Sequence, residues 1–289
     1  MTDASDSKVG PVLTRRRLLH GLGATAAAGL VGAVAPVPAL AFGERSKVDI
    51  AELDLGKGTI SRPDAWTRLL AEVRATTSVE TRNVFDSGIP RFAPSDPELF
   101  EHPFVVCVGD GAFAVPDDDG LEQLARYLAY GGFLLFDDVT GSTSSPFHAA
   151  VERLVRVLYP TRALAPLPKA SHSVYRSFFF NPQPYGRVAN FDDLTGVTLG
   201  GVRVEGDRRE DTTRTPVIVM RNDLSGALER DRSGRYPHPV TPGGEAQRRE
   251  AVKLGINLIM YALTANYKTD QVHVKELIDR RNRQRGMWP

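Results

Sequence analysis

Three runs of consecutive apolar residues constrain most strongly what this chain can fold into. They span Phe104–Val108, Phe133–Phe136 and Pro216–Met220, and none contains a polar side chain. Such runs are typical of strands that helices cover on both faces, because a strand with one wet face alternates apolar and polar residues. Amphipathic helical patterns follow the first two runs. The order strand, helix, strand, helix predicts an α/β protein, a three-layer αβα fold with a mainly parallel central sheet.

The start and end signals of these helices are also visible. Asp119 and Glu122 form a capping pattern for the helix that Gly131 ends, and Ser145 precedes a proline at the start of the next helix. Other predicted elements are a strand at 47–55, a helix that Ser61 caps and that ends near 76, a strand at 79–83, a hairpin or long loop at 196–209, and a helix from about 245 to 265.

The first 41 residues predict an export signal that is not part of the folded domain. Thr14-Arg15-Arg16-Arg17-Leu18-Leu19-His20 resembles a twin-arginine signal, the weakly apolar stretch Gly21–Ala35 follows, and Ala39-Leu40-Ala41 precedes a cleavage site before Phe42. A retained membrane anchor is the alternative, but the stretch is shorter than the roughly 20 apolar residues that cross a bilayer. The predicted organisation is a signal peptide at 1–41, an α/β domain at 42–265, and a basic C-terminal helix or tail at 266–289. The predicted location is the periplasm or cell envelope.

Charge and cysteine content bear on the predicted partners and on disulfide formation. Without residues 1–41 the chain keeps 32 basic and 33 acidic side chains, so its composition predicts neither nucleic acid nor an anionic membrane surface as a partner. The only cysteine, Cys107, lies within an apolar strand, which excludes an intramolecular disulfide and indicates a buried, inert thiol. No motif predicts a cofactor.

Polar residues follow the predicted strands at three places, Gly109-Asp110-Gly111, Asp137-Asp138 and Asn222-Asp223. In an open parallel sheet, ligands bind outside the carboxyl ends of the strands. We therefore expect these tips to face one crevice, together with a loop that carries His172. The candidate ligand-binding residues are Asp110, Gly111, Asp137, Asp138, His172, Tyr175, Asn222 and Asp223.

Several chemistries remain open for this crevice. Asp110, Asp137, Asp138 and His172 offer metal ligands, but no spaced ligand motif is present, and acids at strand ends are common because they hydrogen-bond nearby backbone. Gly109-Asp110-Gly111 is either a phosphate-binding loop or a tight turn. His172 either holds its loop to the sheet or acts on a ligand. As a hydrolase, the chain would use His172 as base and Asp137 or Asp138 as acid or nucleophile.

The ordered motifs resemble the bacterial domain-of-unknown-function family 4159 from about Val48 to Leu263. The resemblance lies in Asp96-Pro97-Glu98-Leu99-Phe100 and His102-Pro103-Phe104, in the run from Leu121 to Asp138, in His172 with Tyr175, in Arg221-Asn222-Asp223, and in Gly255-Ile256-Asn257-Leu258 through Tyr261-Ala262-Leu263.

The resemblance implies a fold similar to class I glutamine amidotransferases and other flavodoxin-like domains. In those enzymes a catalytic cysteine follows the strand that corresponds to Phe133–Phe136, whereas here Asp137 and Asp138 stand at about that place. A carboxylate does not form the thioester of that mechanism. The resemblance also implies von Willebrand A-like proteins and an AAA-type ATPase system as possible envelope partners. The leading hypothesis is a non-catalytic ligand- or protein-binding scaffold domain, and a divergent hydrolase is the alternative.

Overall fold

A computed structural model describes residues 47–82, 88–180, 183–200, 202–205, 208–211, 213–231 and 233–285. The predicted signal peptide and the last four residues lie outside these ranges. The strands are β1 Ile50–Leu53, β2 Thr59–Ile60, β3 Arg91–Phe92, β4 Phe104–Gly109, β5 Phe133–Asp138, β6 Ala165–Pro166, β7 Thr195–Leu199, β8 Val202–Glu205, β9 Arg208–Asp211 and β10 Arg214–Met220. The helices are α1 Pro63–Thr76, α2 Asp118–Ala129, α3 Pro146–Leu158, α4 Leu224–Leu228 and α5 Gly244–Arg285, with 3-10 turns at Pro97–Glu101 and Ser173–Arg176.

The central sheet has eight strands and is mainly parallel, as the sequence predicts. The order across it is β3-β1-β4-β5-β10-β7-β6, and β2 pairs with β4 outside this path. Strands β3, β1, β4, β5 and β10 run parallel, while β7 and β6 add an antiparallel edge. The predicted hairpin or loop is resolved into β7, which joins this sheet, and a separate antiparallel pair of β8 and β9.

Helices cover both faces of the sheet, which confirms the three-layer αβα fold. On one face, α1, α4 and α5 pack around Trp66 and Leu258, and on the other, α2 and α3 pack around Leu128 and Phe147. Every residue of β4 and β5 is buried, because alternate side chains enter the two apolar layers. Cys107 is buried as predicted, and burial raises the pKa of its thiol well above the ordinary value.

Two of the predicted helix caps are wrong. The N-cap position of α1 is Arg62, without a side-chain cap, because Glu52 holds both the Ser61 hydroxyl and the Arg62 N–H. Asp117 caps α2 in place of the predicted Asp119, with its carboxylate accepting the Gly120 N–H at 2.9 Å. The predicted cap of α3 is confirmed, since Ser145 Oγ accepts the His148 N–H at 3.1 Å.

The last helix is longer than predicted. It continues from Gly244 to Arg285 instead of ending near residue 265. No glycine or proline interrupts the sequence from Ile256 to Arg285, so no residue there favours a helix end. Within the described residues, no helix combines the length and the apolar character needed to cross a membrane.

Candidate functional site

The carboxyl ends of β4, β5 and β10 lie side by side, as expected for three neighbouring parallel strands. Asp138 is opposite Gly109 of β4, and Asp137 is opposite both Val108 and Met220. The sequence Arg221-Asn222-Asp223 continues directly from β10. The three polar strand tips therefore share one rim of the sheet, and what each side chain does there decides what the rim can bind.

The crevice where an open α/β sheet usually binds ligands is covered in this chain. Helices α1 and α2 leave neighbouring strands β1 and β4 toward opposite faces, which makes this pair the switch point of the topology. β2 lies antiparallel on β4 there, with Thr59 opposite Gly109. The N–H groups of Asp110 and Gly111 both donate to the Gly58 carbonyl at 3.2 Å. Gly109-Asp110-Gly111 is thus a tight turn whose last two amides already have acceptors, and the Asp110 side chain is exposed.

Gly58 is required for this close approach. Its φ is +91°, and a Cβ at this position would lie 2.4 Å from the Ala112 carbonyl oxygen. No side chain other than hydrogen fits that gap. The covering strand is therefore packed against the β4 tip at a distance that only glycine permits.

A carboxylate that the sequence reasoning missed fixes the segment between the covering strand β2 and α1. Glu52 on β1 is 2 % exposed, and its carboxylate accepts hydrogen bonds from the Ser61 hydroxyl, from the Arg62 N–H at 2.7 Å and from Trp66 Nε1 at 3.2 Å. It thereby joins β1 to the start of α1. The signal in the sequence was an acid within an otherwise apolar strand.

Asp137 is fully buried and caps the short helix α4. Its two carboxylate oxygens accept the N–H groups of Leu224 at 2.8 Å and Ser225 at 2.7 Å. Burial, and secondly the negative charge of Asp223, raises the pKa of Asp137 from the ordinary 3.8 to about 7. Both oxygens are thus engaged by the backbone of the chain itself.

Asp223 is also fully buried and builds the turn into α4. Its φ is +57°, a left-handed conformation that aspartate tolerates better than most residues. Its carboxylate accepts the Gly226 N–H at 2.8 Å and forms a short ion pair with Arg187, while Arg62 lies 3.7 Å away. The two arginine side chains supply the charge that a buried carboxylate requires.

Asn222 fastens the neighbouring loop to the rim. Its Oδ1 accepts the N–H groups of Asn190 at 2.9 Å and Phe191 at 3.0 Å. Its Nδ2 donates to the carbonyls of Pro184 and Phe191, both at 2.8 Å. The amide therefore makes the four hydrogen bonds that it is able to make, all of them to backbone.

Asp138 differs from the other buried strand-tip acids, Asp137 and Asp223, because one of its oxygens accepts no hydrogen bond. Oδ1 accepts the Thr140 N–H at 3.0 Å and the Thr140 hydroxyl at 2.7 Å. Among the described residues no donor hydrogen-bonds to Oδ2, although Asp138 is fully buried. His148 Nδ1 and Arg221 Nε, also buried, lack hydrogen-bond partners within the same part of the chain. We call Asp138, His148 and Arg221 the Arg221 cluster.

Electrostatics link the members of the Arg221 cluster. Burial lowers the pKa of Arg221, and the negative charge of Asp138 is the largest opposing influence. Burial, and then the positive charge of Arg221, lowers the pKa of His148. The Arg221 guanidinium lies 3.8 Å above the centre of the Phe191 ring and donates to the Ser142 carbonyl at 3.0 Å. His148 was missed by the sequence reasoning, since nothing in its local pattern separates it from an ordinary helix residue.

His172 does not face this rim, so the expectation that it shares a crevice with the acids is wrong. Its Nε2 lies 2.9 Å from the Thr215 hydroxyl, and its Nδ1 accepts the Val174 N–H at 3.2 Å. Thr215 precedes Met220 by five residues, which corresponds to roughly 16 Å along a strand. Position in sequence gave no indication of which end of β10 the loop would reach. Tyr175 lies in the same loop, and its buried hydroxyl accepts the Leu194 N–H at 2.9 Å.

Metal ligands are not clustered in the described ranges, where no group of three His, Cys, Asp or Glu side chains is arranged to hold an ion. Among the predicted residues, the structure brings together Asp110, Gly111, Asp137, Asp138, Asn222 and Asp223, and it places His172 and Tyr175 elsewhere.

These features define a class of protein: a three-layer αβα domain in which most strand-tip acids are hydrogen-bonded into its own loops. The profile of the family described as Domain of unknown function (DUF4159) matches residues 49–263, and the chain belongs to that family. Comparison with curated proteins found no significant match.

Proposed function

We propose that this chain is an exported, non-catalytic binding domain of the cell envelope that holds a segment of a partner protein over the Arg221 cluster. The proposal rests on a difference in hydrogen bonding among the side chains at the rim. Asp137, Asn222 and Asp223 are saturated by internal contacts, whereas buried polar atoms of the Arg221 cluster have no hydrogen-bond partner among the described residues. The unpaired atoms of Asp138 and His148 are buried, so the partly exposed guanidinium of Arg221 is the part of the cluster that a bound segment would contact.

The chemistry of the cluster suits a polar segment rather than a nucleophilic reaction. Arg221 presents a partly desolvated cation, and the exposed residues Thr143 and Ser144 lie beside it in the β5–α3 loop. A carbonyl or carboxylate of the partner would accept from the partly exposed Arg221 guanidinium, and the hydroxyls of Thr143 and Ser144 would bond other polar groups of the same segment. Such exposed donors and acceptors suit a peptide segment.

The hydrolase alternative takes His172 as its base, and His172 is not at this rim. A general base must lie within hydrogen-bond reach of the group that it activates. His172 is instead hydrogen-bonded to Thr215 near the opposite end of β10, and Asp137 is engaged by two backbone amides. We therefore favour binding over catalysis at the strand tips.

The cellular setting of the proposal comes from sequence alone. The twin-arginine signal at residues 1–41 supports export to the periplasm or envelope, and the family resemblance suggests a von Willebrand A-like protein or an AAA-type ATPase system as the partner. A folded domain with one buried cysteine suits a route that exports folded proteins.

Photo-crosslinking in the native cell tests this function. A photoreactive residue replacing Ser144 should give a discrete crosslinked product, and the same residue at exposed Arg153, on the outer side of α3, should not. Arg221→Gln should remove the Ser144 product while circular dichroism shows that the chain remains folded, and Arg153→Gln should leave the product unchanged. Crosslinking that is unchanged in Arg221→Gln, or hydrolase activity that requires Asp138, would overturn the proposal.

A further inference from the structure

A second surface is a groove of about 360 Å³ between α1 and α5. It shares no residue with the Arg221 cluster. Five cationic and two anionic side chains line it, in a chain whose net formal charge is only +1. The cations are Arg68, Arg230, Arg248, Arg249 and Lys253, and we call this surface the arginine groove. Such a local excess of positive charge attracts anionic partners.

Part of this charge is held in a fixed position. The guanidinium groups of Arg230 and Arg248 lie 4.6 Å and 3.7 Å from the centre of the Tyr236 ring. Arg248 also donates to the carbonyls of Ala227 at 2.6 Å and His238 at 2.8 Å. Because these side chains are already ordered, a ligand would lose little conformational entropy by binding them.

The acids in the groove leave some of the cations unpaired. Glu72 pairs with Arg68, and Glu245 pairs with Arg248 at 2.9 Å. Within the described part of the chain, neither Arg230 nor Arg249 makes an ion pair with a carboxylate, and Arg249 is exposed on α5. Two guanidinium groups are therefore available to anionic groups of a partner.

An aromatic edge borders the groove. Phe179 lines it, while its neighbours Phe178 and Phe180 are 44 % and 80 % exposed. Asn257 of α5 fixes this segment, since its Oδ1 accepts the N–H groups of Phe178 at 3.1 Å and Phe179 at 2.7 Å and its Nδ2 donates to the Phe179 carbonyl at 2.6 Å. The rings are thus exposed on an anchored backbone. Aromatic residues and arginine together are typical of protein-binding hot spots.

We propose that the arginine groove and the Phe178–Phe180 edge form a docking surface for an acidic, amphipathic segment of a partner protein. Carboxylates of that segment bind Arg230 and Arg249, and its apolar side chains pack on Phe178 and Phe180. A compact polyanion such as phosphate fits less well, because Glu72 and Glu245 interrupt the positive charge and Phe179, Val252 and Ile256 form apolar lining. This surface extends the function beyond the Arg221 cluster and does not depend on it.

Fluorescence anisotropy with the full chain tests the docking surface. The probe is a short labelled peptide in which glutamates alternate with leucine and phenylalanine, and the control peptide has glutamine at each glutamate. The acidic peptide should bind at least about tenfold more tightly than the control, and increasing salt should weaken it. Arg249→Gln and Phe180→Ser should each weaken binding severalfold, whereas Arg153→Gln, an exposed arginine on α3, and Arg221→Gln should not.

Three outcomes would overturn the proposal. One is equal affinity for the two peptides or no effect of Arg249→Gln and Phe180→Ser. Another is displacement of the peptide by inorganic phosphate at constant ionic strength, which would indicate a simple anion site. The third is self-association in sedimentation that Phe180→Ser abolishes, which would identify a second copy as the occupant. Since Arg221→Gln affects only the first surface, failure of one proposal is separable from failure of the other.

Discussion

Asp137 at the end of β5 binds the backbone of Ser225, 88 residues later in the chain, through a 2.7 Å hydrogen bond from the Ser225 N–H to Oδ2. A second bond from the Leu224 N–H to Oδ1 completes the cap of α4. One strand-tip carboxylate thus fixes how the chain turns after β10. The sequence predicts Asp137 as a candidate ligand-binding residue, and in the structure its carboxylate holds the backbone of the same chain.

The first prediction concerns the stability that this cap provides. Above pH 7, where the Asp137 carboxylate is ionised, Asp137→Asn should lower the free energy of unfolding by about 1–3 kcal/mol, because an amide presents only one acceptor oxygen to two buried donors. Urea denaturation measures the change. The exposed turn variant Asp110→Asn is the control and should stay within about 0.5 kcal/mol of the wild type. Equal stability of the two variants would contradict the capping role.

The second prediction is the pH dependence of the contribution that Asp137 makes to the free energy of unfolding. The pKa of Asp137 is raised to about 7 in the folded chain, from an ordinary value of 3.8. Between these values the native state binds more protons than the unfolded state, so the contribution is full below pH 4 and falls as pH rises toward 7. The stability difference, wild type minus Asp137→Asn, should therefore shrink across this window in urea titrations. A difference that grows with pH would mean that the amide donors keep the carboxylate ionised.

The third prediction concerns His172, whose contribution to stability should change with pH in the opposite direction. Burial, and then the positive charge of Arg176, lowers its pKa from the ordinary 6.5 to about 4. Its contribution to stability should be full above pH 6.5 and should be lost as pH falls toward 4. Comparison of the wild type with His172→Gln by urea denaturation measures this loss. Crosslinking from position 144 should be unaffected in His172→Gln, since His172 lies at the other end of β10. Loss of the crosslinked product in this variant would mean that His172 contributes to the binding site at the strand tips.

The fourth prediction concerns the covered switch point. Glu52→Gln should destabilise the chain by about 2–3 kcal/mol, because a buried charged acceptor for three donors becomes a neutral amide. Denaturation followed by tryptophan fluorescence measures the loss, and the exposed Glu98→Gln serves as the control. Unchanged stability in Glu52→Gln would mean that the β1–α1 turn is held by other contacts.

The fifth prediction concerns export. Substitution of both Arg15 and Arg16 by lysine should leave a full-length precursor in the cytoplasm, whereas Arg17→Lys should still be exported and cleaved. Immunoblots of cell fractions and the N-terminal sequence of the mature protein measure the result, and cleavage before Phe42 is expected. An exported double variant would rule out the twin-arginine route.

The sequence by itself determined the layers of this protein. The apolar runs at Phe104, Phe133 and Pro216 predicted the buried parallel strands, and the helical periodicities predicted the covering helices. These patterns can be recognised in the sequence because burial of both faces of a strand, or of one stripe of a helix, determines which residues along the whole segment are apolar. The polar tips of β4, β5 and β10 were placed on one rim for the same reason, since parallel neighbours end at the same edge.

Only the tertiary structure decided what the polar residues do. The partner of Asp137 lies 88 residues away, that of His172 lies 43 residues away, and β2 covers the switch point through a contact with Gly109 across 50 residues. No local pattern encodes such pairings. A hydrogen bond satisfies one donor and one acceptor at a single point, so its partner is fixed only when packing has brought the two segments together.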